Sequence, residues 1–261
     1  MRLAICLLTW LLLAIPALAQ RSYDNDDIEQ MKWHYEGRPK ARARAHGKLP
    51  RRLLEREYVE PKLKDWLLPY QTWEQEYSAY FKRHYGDSRL TFKPEMIVMH
   101  YTVIPSARSV WNSFARGANM SAGDRGTVWG HVSVQLMIDT DGTIYRLLPL
   151  DRRCTGAYGV NHKALSIEMV ARDESELLGR DEQVFASFCL VRWLMDEYDI
   201  PASKVVAHYE VSQGKSVVPE YTDFADASWP DRYPPASART DPGPTYMKWL
   251  RSYLRKTATT R

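Results

Sequence analysis

The sequence contains little cysteine, which limits how its fold can be stabilised. Its 261 residues include three cysteines, too few for a disulfide scaffold. One of them, Cys6, lies within an apolar N-terminal run. The other two, Cys154 and Cys189, can form one disulfide outside the cytoplasm or remain two buried thiols. The sequence leaves both alternatives open, because it does not give the distance between their Cα atoms.

Long apolar runs are absent after the first twenty residues, MRLAICLLTWLLLAIPALAQ. The run from Leu3 to Ile15 follows the positive charge of Arg2 and is short for a membrane span. The triplet ALA at residues 17–19 is a small-x-small cleavage signal, so we interpret residues 1–19 as a signal peptide. An uncleaved N-terminal anchor is the alternative. We therefore expect an exported protein, periplasmic or secreted, with no stable membrane span after cleavage.

No strong excess of one charge is present, since the net charge is +4. The excess is concentrated in RPKARARAHGKLPRRLLER, residues 38–56. Basic runs of this kind contact anionic envelope polymers, although many are solvated linkers. Nucleic acid is not an expected partner for an exported protein. We expect a monomer.

Residues 20–92 are interpreted as a basic, partly flexible N-terminal extension, because residues 20–65 are polar and lack a clear period. Near residues 70–85 the extension becomes aromatic and helical in its spacing, and Gly86 ends that run. The aromatic stripe predicts packing against the following domain rather than a ligand site. It consists of Tyr70, Trp73, Tyr77, Tyr80 and Phe81.

The remaining residues, 93–257, alternate short apolar strands with helices and predict an α/β domain with a central mixed β-sheet flanked by helices. Asp141-Gly142 is a type I′ hairpin signal between two strands. A Pro-, Asp- and Ser-rich loop is expected at 213–238. The expected strands are 96–102, a pair within 132–150, 164–171 and one beginning at 204; the expected helices are 180–200 and 244–254.

The sequence lacks an HExxH motif, yet two histidines come at the ends of short apolar strands. These are His100 in VMHYT and His208 in VVAHYE. Imidazole is a common zinc ligand, and an aspartate can supply a third protein ligand. A histidine beside a strand is also often a hydrogen-bonded core residue, and the spacing does not separate the two alternatives.

Two carboxylates complete the set of candidate functional residues. Glu168 interrupts the apolar strand LSIEMV, so it is either part of a buried ion pair or a general base in a cleft. Asp241 lies in RTDPGPTY, residues 239–246, which precedes the last helix. Asp is a common helix-capping residue, so the stretch starts a helix, directs a carboxylate to a metal, or does both.

Five segments, in this order, resemble the type 2 family of zinc-dependent N-acetylmuramoyl-L-alanine amidases: IVMHYT, LMIDTDGTIYRLLPL, NHKALSIEM, VVAHYE and RTDPGP. Phage amidase-type lysozymes and peptidoglycan-recognition proteins are relatives of this family. The resemblance covers roughly residues 93–255 and leaves out residues 1–92. It implies a mixed sheet flanked by helices, and hydrolysis of the amide between N-acetylmuramic acid and the L-alanine of the stem peptide in peptidoglycan or muropeptides.

The resemblance also implies roles for individual residues. The zinc (Zn²⁺) ligands are His100, His208 and Asp241. Glu168 occupies the position of the acid that handles the proton of the attacking water. Arg239 stands where most members have a lysine that stabilises the oxyanion, and arginine keeps that charge without being able to give up a proton.

Candidate substrate contacts are Tyr101, Gln135, Asn161 and His162. Many members have a histidine at the position of Gln135, and some use another where this chain has Gly156. His131 lies four residues before Gln135 and is a possible substitute, although a structural role is the alternative. Two other functions stay open: a non-catalytic peptidoglycan-binding module and a zinc peptidase.

Overall fold

A computed structural model describes residues 47–116, 132–222 and 239–258. The expected signal peptide at 1–19, His131 and most of the loop at 213–238 lie outside the described residues. So do residues 38–46 of the basic stretch at 38–56. Among the helices that are described, none is both long and apolar enough to cross a membrane.

Six strands form a mixed sheet in the order β1-β4-β3-β5-β2-β6. All neighbouring pairs are parallel except the β3–β4 hairpin. The central strands β2 and β5 are buried along their whole length, as apolar runs in a parallel sheet require. The strands are β1 (Leu63–Asp65), β2 (Met96–Tyr101), β3 (Leu136–Ile138), β4 (Ile144–Arg146), β5 (Ala164–Met169) and β6 (Val205–Ala207).

Seven α-helices of the described residues surround this sheet, and short 3-10 turns occur at Tyr70–Trp73, Ala202–Lys204 and Gly214–Ser216. The helices are α1 (Arg51–Leu54), α2 (Glu74–Tyr85), α3 (Ala107–Arg116), α4 (Glu174–Leu178), α5 (Asp181–Tyr198), α6 (His208–Val211) and α7 (Pro244–Ala258). The expected fold class, a mixed sheet flanked by helices with a partly helical N-terminal extension, is confirmed.

Alternation along the strands divides the core into layers. Ile97, Met99 and Ile167 face the apolar sides of α5 and α7. The alternate residues face the other side of the sheet, where Met137 packs with α2 and α3 and Val98 packs with the loop before β5. Because side chains alternate with period two, His100 and Glu168 belong to this second face.

The part of the N-terminal extension that the structure describes is packed against the domain, in contrast to the loose arm expected over residues 20–65. Leu53 is fully buried in the core, and Arg56 forms a bidentate ion pair with Glu182. β1 adds an edge strand beside β4. These contacts are long-range pairings of charged or very short segments, which have no periodic signal in the sequence.

The aromatic helix α2 lies on the second face of the sheet. Tyr77 and Phe81 are fully buried, and the Tyr77 hydroxyl lies 2.6 Å from Ser133 Oγ. Asn161 donates from Nδ2 to the Tyr80 hydroxyl at 2.9 Å. The aromatic stripe therefore packs, with its hydroxyls hydrogen-bonded, against the rest of the domain.

One local expectation differs from the structure, and the structure agrees with one of two alternatives that the sequence left open. The β3–β4 turn is not type I′, which needs positive φ at both central residues; only Gly142 has positive φ, at 86°. Its N–H donates to Asp139 O at 3.0 Å, which places the glycine at the end of the turn. Cys154 and Cys189 are free, buried thiols in different core clusters, so they form no disulfide here.

Candidate metal centre and active site

The candidate ligands meet at the carboxyl ends of three parallel strands. His100 is the penultimate residue of β2, and His208 follows the last residue of β6 as the first residue of α6. Asp241 reaches the same place from the segment that precedes α7. Since β2 lies between β5 and β6, three distant parts of the chain converge at one edge of the sheet.

Three atoms of these residues form a compact triangle. His100 Nδ1 lies 3.1 Å from His208 Nδ1, His208 Nδ1 lies 3.0 Å from Asp241 Oδ2, and His100 Nδ1 lies 3.2 Å from that same oxygen. Among the described residues this is the cluster of histidine, cysteine and acidic side chains that can hold a metal ion. A proton cannot lie between all three pairs, so hydrogen bonding accounts for at most two of the contacts.

The donor set fits zinc. Ligand atoms bonded at 2.0–2.1 Å to one tetrahedral zinc lie about 3.3 Å apart, close to the three distances of the triangle. Burial lowers the pKa of His208 to about 4. Burial opposes ionisation of Asp241, but His208 and hydrogen bonds from both histidines outweigh it and lower the pKa of the Asp241 carboxyl. Neutral imidazole and ionised carboxylate are the forms that bind metal.

Glu168 lies beside this triangle on the neighbouring strand. It is the direct partner of His100 in the parallel register of β2 and β5, on the same face of the sheet, so their Cα atoms are about 4.8 Å apart. The residue is 8% exposed. Burial raises the pKa of Glu168 to about 7, against the opposing effects of His100 and Arg239. The role of Glu168 as a general base stays a prediction.

Arg239 lies two residues before Asp241 and is half-buried. Its charge works to lower the pKa of both Glu168 and His208. A guanidinium whose charge acts on both of these groups can stabilise negative charge that develops beside the triangle.

The segment that carries Asp241 is anchored to the strand ends on both sides. The Tyr101 hydroxyl lies 2.8 Å from Thr240 Oγ1, and the Tyr209 N–H donates to Asp241 O at 3.0 Å. Tyr101 is 9% exposed and packs toward α7. The structure therefore gives Tyr101, a candidate substrate contact, a second task in holding the Asp241 segment.

The turn that carries His208 is fixed by a residue that the sequence analysis did not identify. Glu210 Oε2 accepts from the Ala207 N–H at 2.9 Å and from Arg251 Nη2 at 2.6 Å. This carboxylate fixes the strand-to-helix turn at which His208 emerges, and it ties the turn to α7. The signal was present in the sequence as a glutamate three residues after Ala207, the spacing of a capping box.

The candidate substrate contacts Gln135 and Asn161 do not join the triangle. Their side-chain amides are hydrogen-bonded elsewhere. Gln135 is fully buried; its Oε1 accepts from the Ser166 N–H at 2.8 Å, and its Nε2 donates to Arg152 O at 2.7 Å. Asn161 Oδ1 accepts from the Ala157 N–H at 2.7 Å. Gln135 thus bridges two backbone groups of the core, whereas Asn161 joins a backbone N–H to the Tyr80 hydroxyl.

His162 lies before the first residue of β5, whereas Glu168 is near its last. Six strand residues at about 3.3 Å each span about 20 Å, so His162 belongs to the opposite end of the sheet. Its ring stacks on Tyr85 with centroids 4.3 Å apart. Burial lowers the pKa of His162 to about 4.

Comparison with known proteins places these residues within a family. Residues 90–244 match the model of the Amidase_2 family, N-acetylmuramoyl-L-alanine amidase. This range contains the triangle, Glu168 and Arg239, and it starts within three residues of the domain boundary expected at 93. No curated protein matches the chain in a sequence comparison.

Solved structures of similar proteins include three from different sources. The endolysin amidase LysCS from Clostridium intestinale is 25% identical over 61% of this chain and 88% of its own, with a TM-score of 0.40. Drosophila PGRP-LB is 18% identical over 52% and 87%, with a TM-score of 0.38. AmiD from E. coli, solved with anhydro-N-acetylmuramic acid-L-Ala-D-gamma-Glu-L-Lys, is 18% identical over 47% and 51%, with a TM-score of 0.36.

The family match spans more than half of the chain, and the described structure has the mixed sheet and the set of convergent residues that the five motifs lead one to expect. On this basis the chain belongs to the Amidase_2 family of N-acetylmuramoyl-L-alanine amidases.

Proposed function

We propose that the protein is an exported zinc hydrolase that acts in cell wall turnover or remodelling. It cleaves the amide between N-acetylmuramic acid and the L-alanine of the stem peptide, in peptidoglycan or in muropeptides. One observation carries the proposal: the ligand atoms of His100, His208 and Asp241 converge beside the acid Glu168 in a chain of an amidase family.

In this proposal the three residues of the triangle hold one zinc ion through two imidazole nitrogens and one carboxylate oxygen. Bound zinc supplies a Lewis acid, which activates water at neutral pH and polarises a carbonyl. Three protein ligands are the number found at catalytic zinc sites, whereas structural sites are closed by four. The donor set is also free of thiolates, since both cysteines of the described residues lie in the apolar core.

Glu168 is the residue we propose to move protons. It is positioned by the buried strand β5, next to His100 in register. An acid in this position takes a proton from the attacking water and delivers one to the leaving amine. General acid–base catalysis of this kind contributes about 10²–10⁴ in rate.

Arg239 is the residue we propose to stabilise the oxyanion. Amide hydrolysis places negative charge on the former carbonyl oxygen, and a fixed cation close to that oxygen lowers the barrier. Arginine remains protonated throughout, so this role is electrostatic and proton transfer is left to Glu168.

Export is part of the proposal because peptidoglycan lies outside the cytoplasmic membrane. The support is the N-terminal sequence, with Arg2, the apolar run and the residues 17–19 cleavage signal. N-terminal sequencing of the protein recovered from a periplasmic or culture fraction tests it. A chain that begins at Gln20 supports export with cleavage, and a full-length cytoplasmic chain contradicts it.

Contact between residues 38–56 and an anionic envelope polymer remains a prediction. Within the described residues of this stretch, Arg51 is paired with Glu55, Arg52 with Asp181 and Arg56 with Glu182. Lys48 is different, because it lines a groove together with Lys248 and Lys256. Sedimentation with wall polymer, compared between the wild type and a triple glutamine variant of these lysines, tests the contact.

The amidase proposal is tested by digesting purified peptidoglycan with residues 20–261 and identifying the products by mass spectrometry. We expect free stem peptides that begin with L-alanine, lost after chelation and restored by zinc. Glu168→Gln should bind zinc and the wall but release peptide about 10²–10⁴-fold more slowly. The exposed Glu57→Gln variant is the matched control, and it should behave like the wild type.

The same digestion separates the two alternative functions. A zinc-loaded protein that binds the wall and releases nothing is a binding module. Cleavage within the stem peptide, which leaves L-alanine attached to the sugar, identifies a peptidase. Either result contradicts the proposed amidase.

A further inference from the structure

The N-terminus of helix α7 is capped from a distant part of the chain. The first N–H groups of a helix need acceptors from outside it, and here Glu174 Oε1 accepts from the Thr245 N–H at 2.6 Å and the Tyr246 N–H at 2.9 Å. Glu174 is the first residue of α4 and lies about seventy residues before α7 in sequence. The cap is therefore a tertiary contact.

Residues better placed in sequence for capping do not supply this cap. Thr240 and Asp241 are of capping type and lie just before the helix. However, Thr240 Oγ1 contacts the Tyr101 hydroxyl, and Asp241 Oδ2 faces His100 and His208. The distant carboxylate thus occupies the acceptor position for which Asp241 would otherwise be the nearest candidate.

Gly243 makes room for this arrangement. It has φ of 100°, a conformation that residues with a side chain rarely adopt. A Cβ atom at this position would also overlap the carboxylate group of Glu174. The glycine in RTDPGPTY is therefore required by two independent features, the turn itself and the contact with Glu174.

Glu174 also links the two acidic residues of the candidate site. It follows β5, the strand that carries Glu168, after only a few residues. Its carboxylate fixes the start of α7, three residues after Asp241. The separation between the strand of Glu168 and the segment of Asp241 is thereby set by one carboxylate oxygen that accepts from two backbone N–H groups. Hydrogen bonds to a charged acceptor are the stronger kind.

We propose that Glu174 is a positioning residue for the metal site. Because Glu174 caps α7 from α4, the Asp241 carboxylate does not have to cap the helix and stays directed at His100 and His208. Without Glu174, the open N–H groups and the positive end of the α7 dipole attract the carboxylate that is nearest in sequence, which is Asp241. This inference rests on the proposed zinc site and extends it to a residue that contacts neither metal nor substrate.

The test compares zinc affinity with fold stability in Glu174→Ala. The dissociation constant for zinc is measured by competition with a chromophoric chelator, and the melting temperature is measured in EDTA. We expect zinc affinity to fall about 10–100-fold, the range observed when residues that orient metal ligands are removed. The visible d–d spectrum of the cobalt(II)-substituted variant should change as well, because the carboxylate ligand is displaced.

Two further variants separate positioning from stability. Ser106→Ala removes a local helix cap at α3, where Ser106 Oγ accepts from the Ser109 N–H; it should lower the melting temperature and leave zinc affinity unchanged. Glu174→Gln keeps an acceptor of the same shape, and its zinc affinity should lie closer to that of the wild type than that of Glu174→Ala. If Glu174→Ala does not fold, the shorter Glu174→Asp takes its place, with the same expected direction.

The outcomes distinguish this inference from the proposed function. If Glu174→Ala lowers the melting temperature but keeps wild-type zinc affinity and an unchanged cobalt spectrum, Glu174 is only a helix cap and the inference is overturned. Suppose instead that the wild type binds zinc and that Glu174→Ala binds it more weakly, but that the wild type cleaves no peptidoglycan. In that case the inference holds and the amidase proposal fails.

Discussion

Two groups of polar residues lie on the same side of the sheet, and they differ in where their hydrogen bonds go. In the amide group, Gln135 is bonded to a backbone N–H and a backbone C=O, and Asn161 is bonded to a backbone N–H and to the Tyr80 hydroxyl. In the ligand group, His100, His208 and Asp241, the side-chain atoms converge on one another. Burial alone does not separate the groups, since Gln135 is fully buried and His100 is 3% exposed.

The difference supports a structural role for the amide group and the proposed metal-binding role for the ligand group. Buried polar atoms cost free energy unless they are paired, and the amide group meets that requirement within the chain. The ligand group has three possible metal-ligand atoms within 3.0–3.2 Å of one another. Hydrogen bonds account for at most two of these contacts, whereas one cation can bind all three atoms. Experiments that show the amide group to be functional, or the ligand group to be structural, would contradict this comparison.

The largest effect is expected for Asp241→Ala. Loss of one of three protein ligands should abolish zinc binding at micromolar metal and reduce amide cleavage to background. Removing the exposed carboxylate of Asp151 should leave both unchanged. Zinc content by mass spectrometry and peptide release from peptidoglycan provide the measurements, and an Asp241→Ala enzyme that retains zinc and activity would make the triangle structural.

A smaller loss is expected for Glu168→Gln. The amide has the same shape but cannot accept a proton, so kcat should fall about 10²–10⁴-fold. Zinc affinity should be retained, because Glu168 is not a member of the triangle. Steady-state kinetics on a soluble muropeptide, together with zinc titration, separate the two properties; a retained kcat would assign the proton transfer to another group.

Arg239→Ala is expected to lower kcat about 10²–10³-fold, the usual result of removing one oxyanion donor. Arg239→Lys keeps the positive charge and should recover most of that loss. The KM should change less than kcat in both variants if the charge acts on the transition state. Equal loss in the alanine and lysine variants would contradict a role through charge.

The smallest effect on activity is expected for Gln135→Leu. The change leaves the Ser166 N–H and the Arg152 carbonyl without their partner, which costs about 1–3 kcal/mol for each group in the free energy of unfolding. Below the unfolding transition, kcat/KM should equal that of the wild type. Urea denaturation and muropeptide kinetics measure the two quantities, and lost activity with unchanged stability would place Gln135 in the active site after all.

Much of the sheet and the ligand group could be predicted from the sequence. The strands β2 and β5 are continuous apolar runs of the length that a buried parallel strand requires, so residues that interrupt or end them, such as His100 and Glu168, stand out. The five motifs then joined segments as far apart as those of His100 and Asp241, which local patterns alone cannot do.

Other features could not be predicted, for physical reasons. A glutamine or asparagine in a motif has the same letter whether it binds substrate or is hydrogen-bonded within the core, so Gln135 and Asn161 could not be assigned. β1 is the charged tripeptide LKD, and its pairing with β4 leaves no apolar pattern. The cap by Glu174 depends on a contact across some seventy residues, and only the fold brings that carboxylate to α7.

The central claim is that His100, His208 and Asp241 form one zinc site, and X-ray absorption spectroscopy at the zinc edge tests it most directly. The account predicts one zinc per chain, with two imidazole ligands and a carboxylate oxygen at about 2.0–2.1 Å and no sulfur. It also predicts loss of that spectrum in Asp241→Ala. A wild-type chain that takes up no zinc, or a spectrum that is the same in Asp241→Ala, would contradict the account.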